Sequence, residues 1–328
     1  MGELKRTALR SIMAIGVMAF SLNAFGQAAM AEVVETFNAG VTMMKMNPDA
    51  AIASFEKTVS LADQVGEEAA EIKDQALKQI PKMYWESAKN LASKKDYEGA
   101  LEKLEACITT AKVVDDASLA GRANTTALSI LNVMGSNALS AGDYPAALDY
   151  FDQVIARESR YAKAYLGKVL VYSEMKDYDK MEEIALLGIE TAKSTRDNKT
   201  AGDIQTKLRS TFLNNAQVDM QSEDYASAVE NLKRAIEYGG ASSAVWYQLG
   251  QAQQGVSKWA DAVNSFTSAL ELELGGDEDK AKIYFEMARS YQELSDVQNA
   301  CANYRKAMFG DFAEAAKYQI ETVLKCGN

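Results

Sequence analysis

The sequence predicts an all-α fold made of consecutive helix hairpins, and three observations carry that expectation. Seven segments align on one position, filled by Ala51, Ala100, Ala147, Met181, Ala228, Ala262 and Ala300, six of them small. Four residues after each comes a second core position: Phe55, Leu104, Phe151, Ala185, Leu232, Phe266 and Tyr304. The dipeptide Asp-Tyr recurs just before the anchor at Asp96-Tyr97, Asp143-Tyr144, Asp177-Tyr178 and Asp224-Tyr225. There Asp is suited to cap a helix by accepting its free backbone N–H groups. Composition agrees: three prolines in 328 residues, abundant Ala, Leu, Glu and Lys, and no stretch of strand-like alternation.

The first residues read differently from the rest. Lys5, Arg6 and Arg10 precede a twelve-residue apolar core, Ser11 to Leu22. That core is too short to span a bilayer comfortably and fits an export signal over residues 1–26. Cleavage is expected after Gly26, with Ala31 as the rival position. No cysteine lies there, so lipid anchoring is not indicated. The expected product is exported, to the periplasm or cell envelope of a Gram-negative type cell, without stable membrane insertion once the signal is removed.

The hairpin pattern is clearest from Ser243 to Leu270. Trp246, Leu249 and Gly250 are followed by Ala262 twelve residues after the glycine, then Phe266 and Ala269. This spacing of large and small residues resembles the tetratricopeptide repeat (TPR). Small residues at Gly250 and Ala262 let two helices approach, and Trp246, Leu249 and Phe266 fill the space beside the crossing. The small position of the first helix is matched at Ala39, Ala88, Gly135, Ala216 and Ala288; Val169 and Met181 depart from it in the fourth repeat. The resemblance implies a right-handed superhelical solenoid of about seven repeats over residues 27–309. Residues 310–328 then form a C-terminal capping helix and tail that covers the last apolar face.

Successive anchors lie 49, 47, 34, 47, 34 and 38 residues apart. Two intervals equal the TPR period of 34, and three exceed it by roughly four helical turns. Whole-turn insertions lengthen helices without rotating the buried face. Ser60 to Ser93, Thr109 to Ser140 and Thr191 to Gln221 are therefore expected as long helices broken near Gly66, Asp115–Asp116 and Arg196–Asn198. Pro81 is expected to start or kink a helix.

Several function classes are disfavoured. Net charge is −11 and no basic patch is present, which argues against nucleic acid. There is no histidine, the usual general base and commonest metal ligand. Phosphate loops, Gly-x-Ser-x-Gly and metal-ligand clusters are missing, and neither a cofactor nor a metal is expected. Acid pairs such as Glu67-Glu68 and Glu182-Glu183 read as solvated helix faces and helix starts. Gly275 to Lys280 lacks the spaced oxygens of a calcium loop.

Of the three cysteines, Cys107 takes a small core position and reads as a buried thiol. Cys301 and Cys326 stay a candidate disulfide, which an exported protein permits. Two straight helical arms about a turn at Phe309 to Asp311 would miss each other by roughly 10 Å. A bridge needs Cα atoms within about 7 Å, so a non-helical end must absorb the excess.

The resemblance implies a concave groove lined by the first helix of each hairpin. Carried over position by position, its residues are Trp85, Lys89, Asn132, Lys163, Leu166, Leu213, Gln217, Tyr247, Gln251, Phe285 and Arg289. Aromatic rings, amides and cations in that mixture suit protein or peptide recognition. One TPR subtype clamps a C-terminal carboxylate, but Glu286 and Ser136 stand where it needs Arg and Asn, so that activity is not expected. The implied function is a non-catalytic interaction scaffold or adaptor. The alternatives are a structural homo-oligomer and a glycan-binding or carboxylate-dependent glycan-processing protein.

Overall fold

The structure is a computed structural model and describes residues 27–327; the expected export signal, 1–26, lies outside them. Among the described residues there is no strand. Among these same residues fifteen α-helices follow one another and divide after Glu158 between two compact units.

The first unit holds three hairpins. They are α1 (27–43) with α2 (Pro48–Val65), α3 (Ala70–Ser93) with α4 (Tyr97–Val113), and α5 (Ala117–Ser140) with α6 (Tyr144–Arg157). The second unit holds four: α7 (Ala162–Glu174) with α8 (Tyr178–Ser194), α9 (Asn198–Gln221) with α10 (Tyr225–Ala235), α11 (Ser243–Gly255) with α12 (Trp259–Leu272), and α13 (Asp277–Glu293) with α14 (Val297–Lys306). A short α15 (Ala313–Tyr318) follows. Within each unit every helix packs on the next. First helices also lie beside first helices: α3 on α5, α7 on α9 and α11 on α13. This is the stacking of a TPR-type solenoid, in which each hairpin buries its apolar face against its neighbours.

The extra residues go where whole-turn insertion requires. α3, α5 and α9 have 24 residues each, against 13 in α7 and α11. The breaks fall at Gly66, at Asp115–Asp116 and at Arg196–Asp197. Pro81 lies inside α3 without ending it.

One turn design is used eight times. A residue in the left-handed region ends the first helix: Lys95, Asp115, Gly142, Lys176, Arg196, Glu223, Ser257 or Ser295. The next residue caps the second helix and donates its backbone N–H to the carbonyl five residues back, at 2.8–3.0 Å in all eight turns. In seven turns the cap is Asp96, Asp116, Asp143, Asp177, Asp197, Asp224 or Asp296, and its carboxylate accepts the N–H three residues on. Both orphan ends are satisfied within three residues. The first hairpin differs: Asn47 caps α2 and bonds four residues back to Met43, with no left-handed residue before it. Its turn is one residue shorter. The small position therefore shifts from Ala39, which is exposed, to Gly40, which is buried against Phe55.

At three crossings a glycine faces an aromatic ring, while in the last hairpin Ala288 shares a core with the Tyr304 ring. A Cβ added to Gly40, Gly135 or Gly250 would lie 2.7, 2.8 and 2.5 Å from a ring carbon of Phe55, Phe151 and Phe266. Ala88 and Ala216 stand instead opposite Leu104 and Leu232, and all four are buried. In the fourth repeat Val169 and Met181 are fully buried in a core shared with Ile204, Leu208 and Phe212.

The segment after Phe309 is helical but not one continuous α-helix. A 3-10 turn (Gly310–Phe312) leads into α15, and a π-turn (Gln319–Val323) follows. The wide turn and the irregular end absorb the overshoot expected of a straight arm. Cys301 and Cys326 are disulfide-bonded, with Cα atoms 5.9 Å apart.

Candidate functional site

Three expected groove residues belong to the first unit. Trp85 is half-buried on α3, and the Arg122 guanidinium from α5 lies 4.9 Å from its ring centre. Lys89, one turn further along α3, is exposed and pairs with Glu86 at 2.7 Å. Asn132 is half-buried on α5, and its Oδ1 has no hydrogen-bond partner among the described residues. Trp85 thus has one ring face covered by a cation, in a cation–π contact.

The other eight lie in the second unit and separate into two groups. Leu166 and Leu213 pack against buried cores, and Phe285 packs on Tyr304 at 5.3 Å and on Phe312 at 5.4 Å, under the C-terminal segment. Lys163 stands exposed on α7, and its charge adds a smaller pull to the Thr200 hydrogen bonds that hold the Asp197 carboxyl low. The remaining four form a connected face across α9, α11 and α13. Gln251 Nε2 donates to the Tyr247 hydroxyl at 3.1 Å. Tyr247 packs on Phe266 at 5.7 Å, and Lys282 Nζ lies 5.7 Å from its ring centre. Arg289 pairs with Glu286 at 2.8 Å. Gln217 reaches Gln251 through a shared pocket.

That pocket has a volume of about 190 Å³ and lies between α9, α10 and α11. Ala216, Gln217, Met220 and Gln221 of α9, Leu232 of α10, and Gln248 and Gln251 of α11 line it. The chain between α10 and α11 leaves α10 in a π-turn with Gly239 in the left-handed region, and Arg209 holds the Gly239 carbonyl at 3.2 Å. The four-glutamine wall was not recognised from the sequence. The spacing of Gln217 and Gln221, four residues apart on one helix face, is the signal that marks its α9 half.

Electrostatics keep the face protonated and internally paired. Burial, with the nearby Glu286 carboxylate, pushes the Tyr247 phenol up to about 12, against the opposing pull of Arg289. It therefore accepts from Gln251 while retaining its own proton as a donor. A second pocket, about 350 Å³, lies beside Trp246, with Lys233, Asp261 and Ser265 in its wall. A third, about 530 Å³, lies at the α3–α4 and α5–α6 turns of the first unit and is lined by charged residues including Lys95, Glu98 and Asp143. Among the described residues no three Cys, Asp or Glu groups gather as a metal site, and no helix is long and apolar enough to cross a membrane.

Comparison with known proteins places TPR units on this chain. Two tetratricopeptide-repeat family models match, over residues 132–184 and 281–308. The first runs from the end of α5 into α8, and the second covers most of α13 and α14. No curated protein matches the chain. Among solved structures, a MamA protein is 14% identical over 60% of this chain and 94% of its own, with a TM-score of 0.32. YrrB, described as a TPR protein with an unusual peptide-binding site, is 18% identical over 57% and 90%, with a TM-score of 0.29. A tetratricopeptide repeat protein from Parabacteroides merdae is 13% identical over 90% and 100%, also with a TM-score of 0.29. Similarity at this level carries no argument about partners.

Proposed function

We propose that this chain is a non-catalytic adaptor or scaffold that holds a segment of a partner protein on the first-helix face of its hairpins. TPR units in general mediate protein–protein interaction, and two are matched here. The observation that carries the reading is the connected face on α9, α11 and α13. There Gln217, Gln251, Tyr247 and Arg289 come from three successive first helices; Gln251 is held by Tyr247, Tyr247 by Phe266 and Arg289 by Glu286. Side chains fixed in this way lose little freedom on binding, which lowers the cost of recognition.

The proposal extends to place. The basic start and twelve-residue apolar core within 1–26 support export to the periplasm or envelope. Fractionation with N-terminal sequencing tests it: a mature chain starting at Gln27 or Glu32 in the periplasmic fraction is expected, and an unprocessed cytoplasmic chain would reject it. The adaptor reading is tested by capture from envelope extract, using the mature chain beside a Tyr247→Ala, Arg289→Glu variant. Loss of a specific partner with the variant is expected. Undiminished capture would move the interaction off this face.

A further inference from the structure

The pocket of about 350 Å³ beside Trp246 is walled by α10 and its π-turn, α11 and α12. It uses a different side of α11 from the face described above. Trp246, Leu249 and Gln253 recur at helical spacing toward this pocket, whereas Tyr247 and Gln251 point elsewhere on the helix. On α12, Asp261, Asn264, Ser265 and Ser268 follow one another at i, i+3, i+4 and i+7. They keep the pocket side of α12 polar for about 10 Å, where a helix packed on neighbours ordinarily presents apolar residues. We propose that this pocket binds a neutral sugar ring. The C–H face of the ring stacks on Trp246, and its hydroxyls pair with Gln253, Asn264 and Asp261. This goes beyond the adaptor reading and does not depend on it.

A buried polar group gives the first argument. Gln253 is 4% exposed and Ser265 3% exposed, and the serine hydroxyl donates to Gln253 Oε1 at 2.7 Å. The amide nitrogen of Gln253 has no acceptor among the described residues, and Gln253 lines the pocket. A ligand oxygen satisfies that donor. A purely apolar ligand would displace water from it and leave it unpaired.

The indole gives the second. Trp246 is half-buried and rests on the cores of its own and the preceding hairpin. Among the described residues no other ring and no cation packs on it. An uncovered aromatic surface beside convergent polar groups suits a ligand that is apolar on one face and polar at its edge.

Charge and spacing separate a sugar from its competitors. Lys233 and Asp261 are exposed and opposite in sign, and the buried polar groups, Gln253 and Ser265, are neutral. A carboxylate or phosphate would lose hydration against those neutral groups with one exposed lysine to offset the loss. A hydroxyl both donates and accepts, so one ring can serve the Gln253 donor, the Asp261 acceptor and the mixed Asn264 amide together. A peptide strand instead spreads its polar groups along its length, with those facing one way about 6.7 Å apart. Asn264 and Ser265 are adjacent, and Asp261 and Ser268 lie about one turn to either side. That clustering matches a ring better than a strand.

The test titrates the mature chain by calorimetry with oligomers of β-linked glucose and of N-acetylglucosamine. Oligogalacturonate and a capped Ala-Thr-Ala tripeptide are the competitors. One neutral series or both should bind, with the uronate and the tripeptide weaker by about tenfold or more. Equal affinity of disaccharide and hexasaccharide identifies a small sugar, and a rise with length identifies a glycan strand; each outcome keeps the assigned chemistry. The double variant Asp261→Ala, Asn264→Ala changes two exposed positions. It should weaken binding by about tenfold or more, the effect of losing two hydrogen bonds. Saturation-transfer NMR on the unaltered chain should mark the protons of the sugar's C–H face most strongly, so the result does not depend on a variant folding. No binding of either neutral series, tighter binding of the uronate or the tripeptide, full binding by the double variant, or even saturation around the ring would each overturn the proposal. Partner capture by the first-helix face is read separately, so failure here leaves the adaptor reading standing.

Discussion

Gly250 lies directly beneath the ring of Phe266: a Cβ on it would sit 2.5 Å from Cε1. The same relation joins Gly135 to Phe151 and Gly40 to Phe55, whereas Ala88 and Ala216 face the smaller Leu104 and Leu232. The glycine is thus tied to a ring at these three crossings, although Ala288 shares its core with the Tyr304 ring without one. Gly250→Ala gains up to about 1 kcal/mol of helix propensity but overpacks a buried ring, at about 1–3 kcal/mol. A net loss of stability in urea melts is expected. Adding Phe266→Leu to Gly250→Ala should cost less than Phe266→Leu adds to the parent, a favourable coupling in a double-mutant cycle. Strict additivity would show that the ring does not set the glycine.

The repeated turn makes a second prediction. Seven of its eight left-handed positions carry a side chain, and only Gly142 is glycine. Left-handed backbone costs an L-residue roughly 1 kcal/mol, partly offset by the unfolded-state entropy of glycine. Lys176→Gly and Glu223→Gly should each raise stability by up to about 1 kcal/mol, while Gly142→Ala should lower it by a similar amount. Thermal melts of the three variants check the signs.

Alkaline titration should be delayed at five tyrosines, one of which, Tyr161, is raised by burial alone. Burial pushes Tyr84, Tyr247 and Tyr304 up to about 12; at Tyr84 the hydrogen bond to Glu56 adds to it, and at Tyr247 the charge of Glu286 does. Tyr238, half-buried and donating to Glu182 at 2.6 Å, is raised as well. A folded pKa above the unfolded value near 10 means that the fold favours the neutral phenol. Their stabilisation is thus complete below about pH 10 and is lost as pH rises toward 12. Absorbance titration should show tyrosinate forming late and together with unfolding. Tyr238→Phe should remove one late-titrating group, and loss of its hydrogen bond should leave Glu182 to Arg234 alone.

The opposite sign applies in acid. Asp197 is held low by the Thr200 hydroxyl and then by its backbone N–H, and Asp224 and Asp296 are held low in the same order by Ser227 and Asn299. Depressed folded values give stability that is present above the unfolded carboxyl pKa and fades as pH falls below about 4. Melting temperature should drop in that range. Asp224→Asn should blunt the pH dependence while keeping the cap, because an amide oxygen also accepts the N–H groups.

The disulfide closes a separation of 25 residues, and only Ala316 of α15 is buried, so the bond is a principal tie of the C-terminal segment. Alkylation of the unfolded, unreduced chain should label Cys107 alone, with all three cysteines labelled after reduction. In the native state Cys107 should resist labelling, since burial pushes its thiol up to about 11. Cys301→Ser with Cys326→Ser should cost about 3.5 kcal/mol by the loop-entropy relation. It should also open residues after Phe309 to proteolysis.

The hairpin series was legible because every repeat writes its own boundaries locally. An Asp cap, a small residue and a large one four further on act within a few turns of helix, so one chain without relatives suffices to find them. Asp115–Asp116 and Arg196–Asp197 could even be placed inside long helical stretches. What local signals do not count is a missing residue. The first turn lacks its left-handed member, and the small position moved from Ala39 to Gly40 for that reason alone.

Through these local rules, the sequence by itself determined the all-α class, the order of the hairpins and the lengths of their helices. Only tertiary structure decided which first-helix side chains are free. Phe285 and Leu213 have spacing like that of Tyr247 and Gln217, yet the C-terminal segment and a core take the first two. The winding of that segment, and hence the Cys301–Cys326 distance, also depends on what it packs against. So does the four-glutamine pocket, whose wall is assembled from three helices, α9, α10 and α11. Packing between elements distant in sequence sets these outcomes, and helical periodicity carries no record of a neighbour's distance.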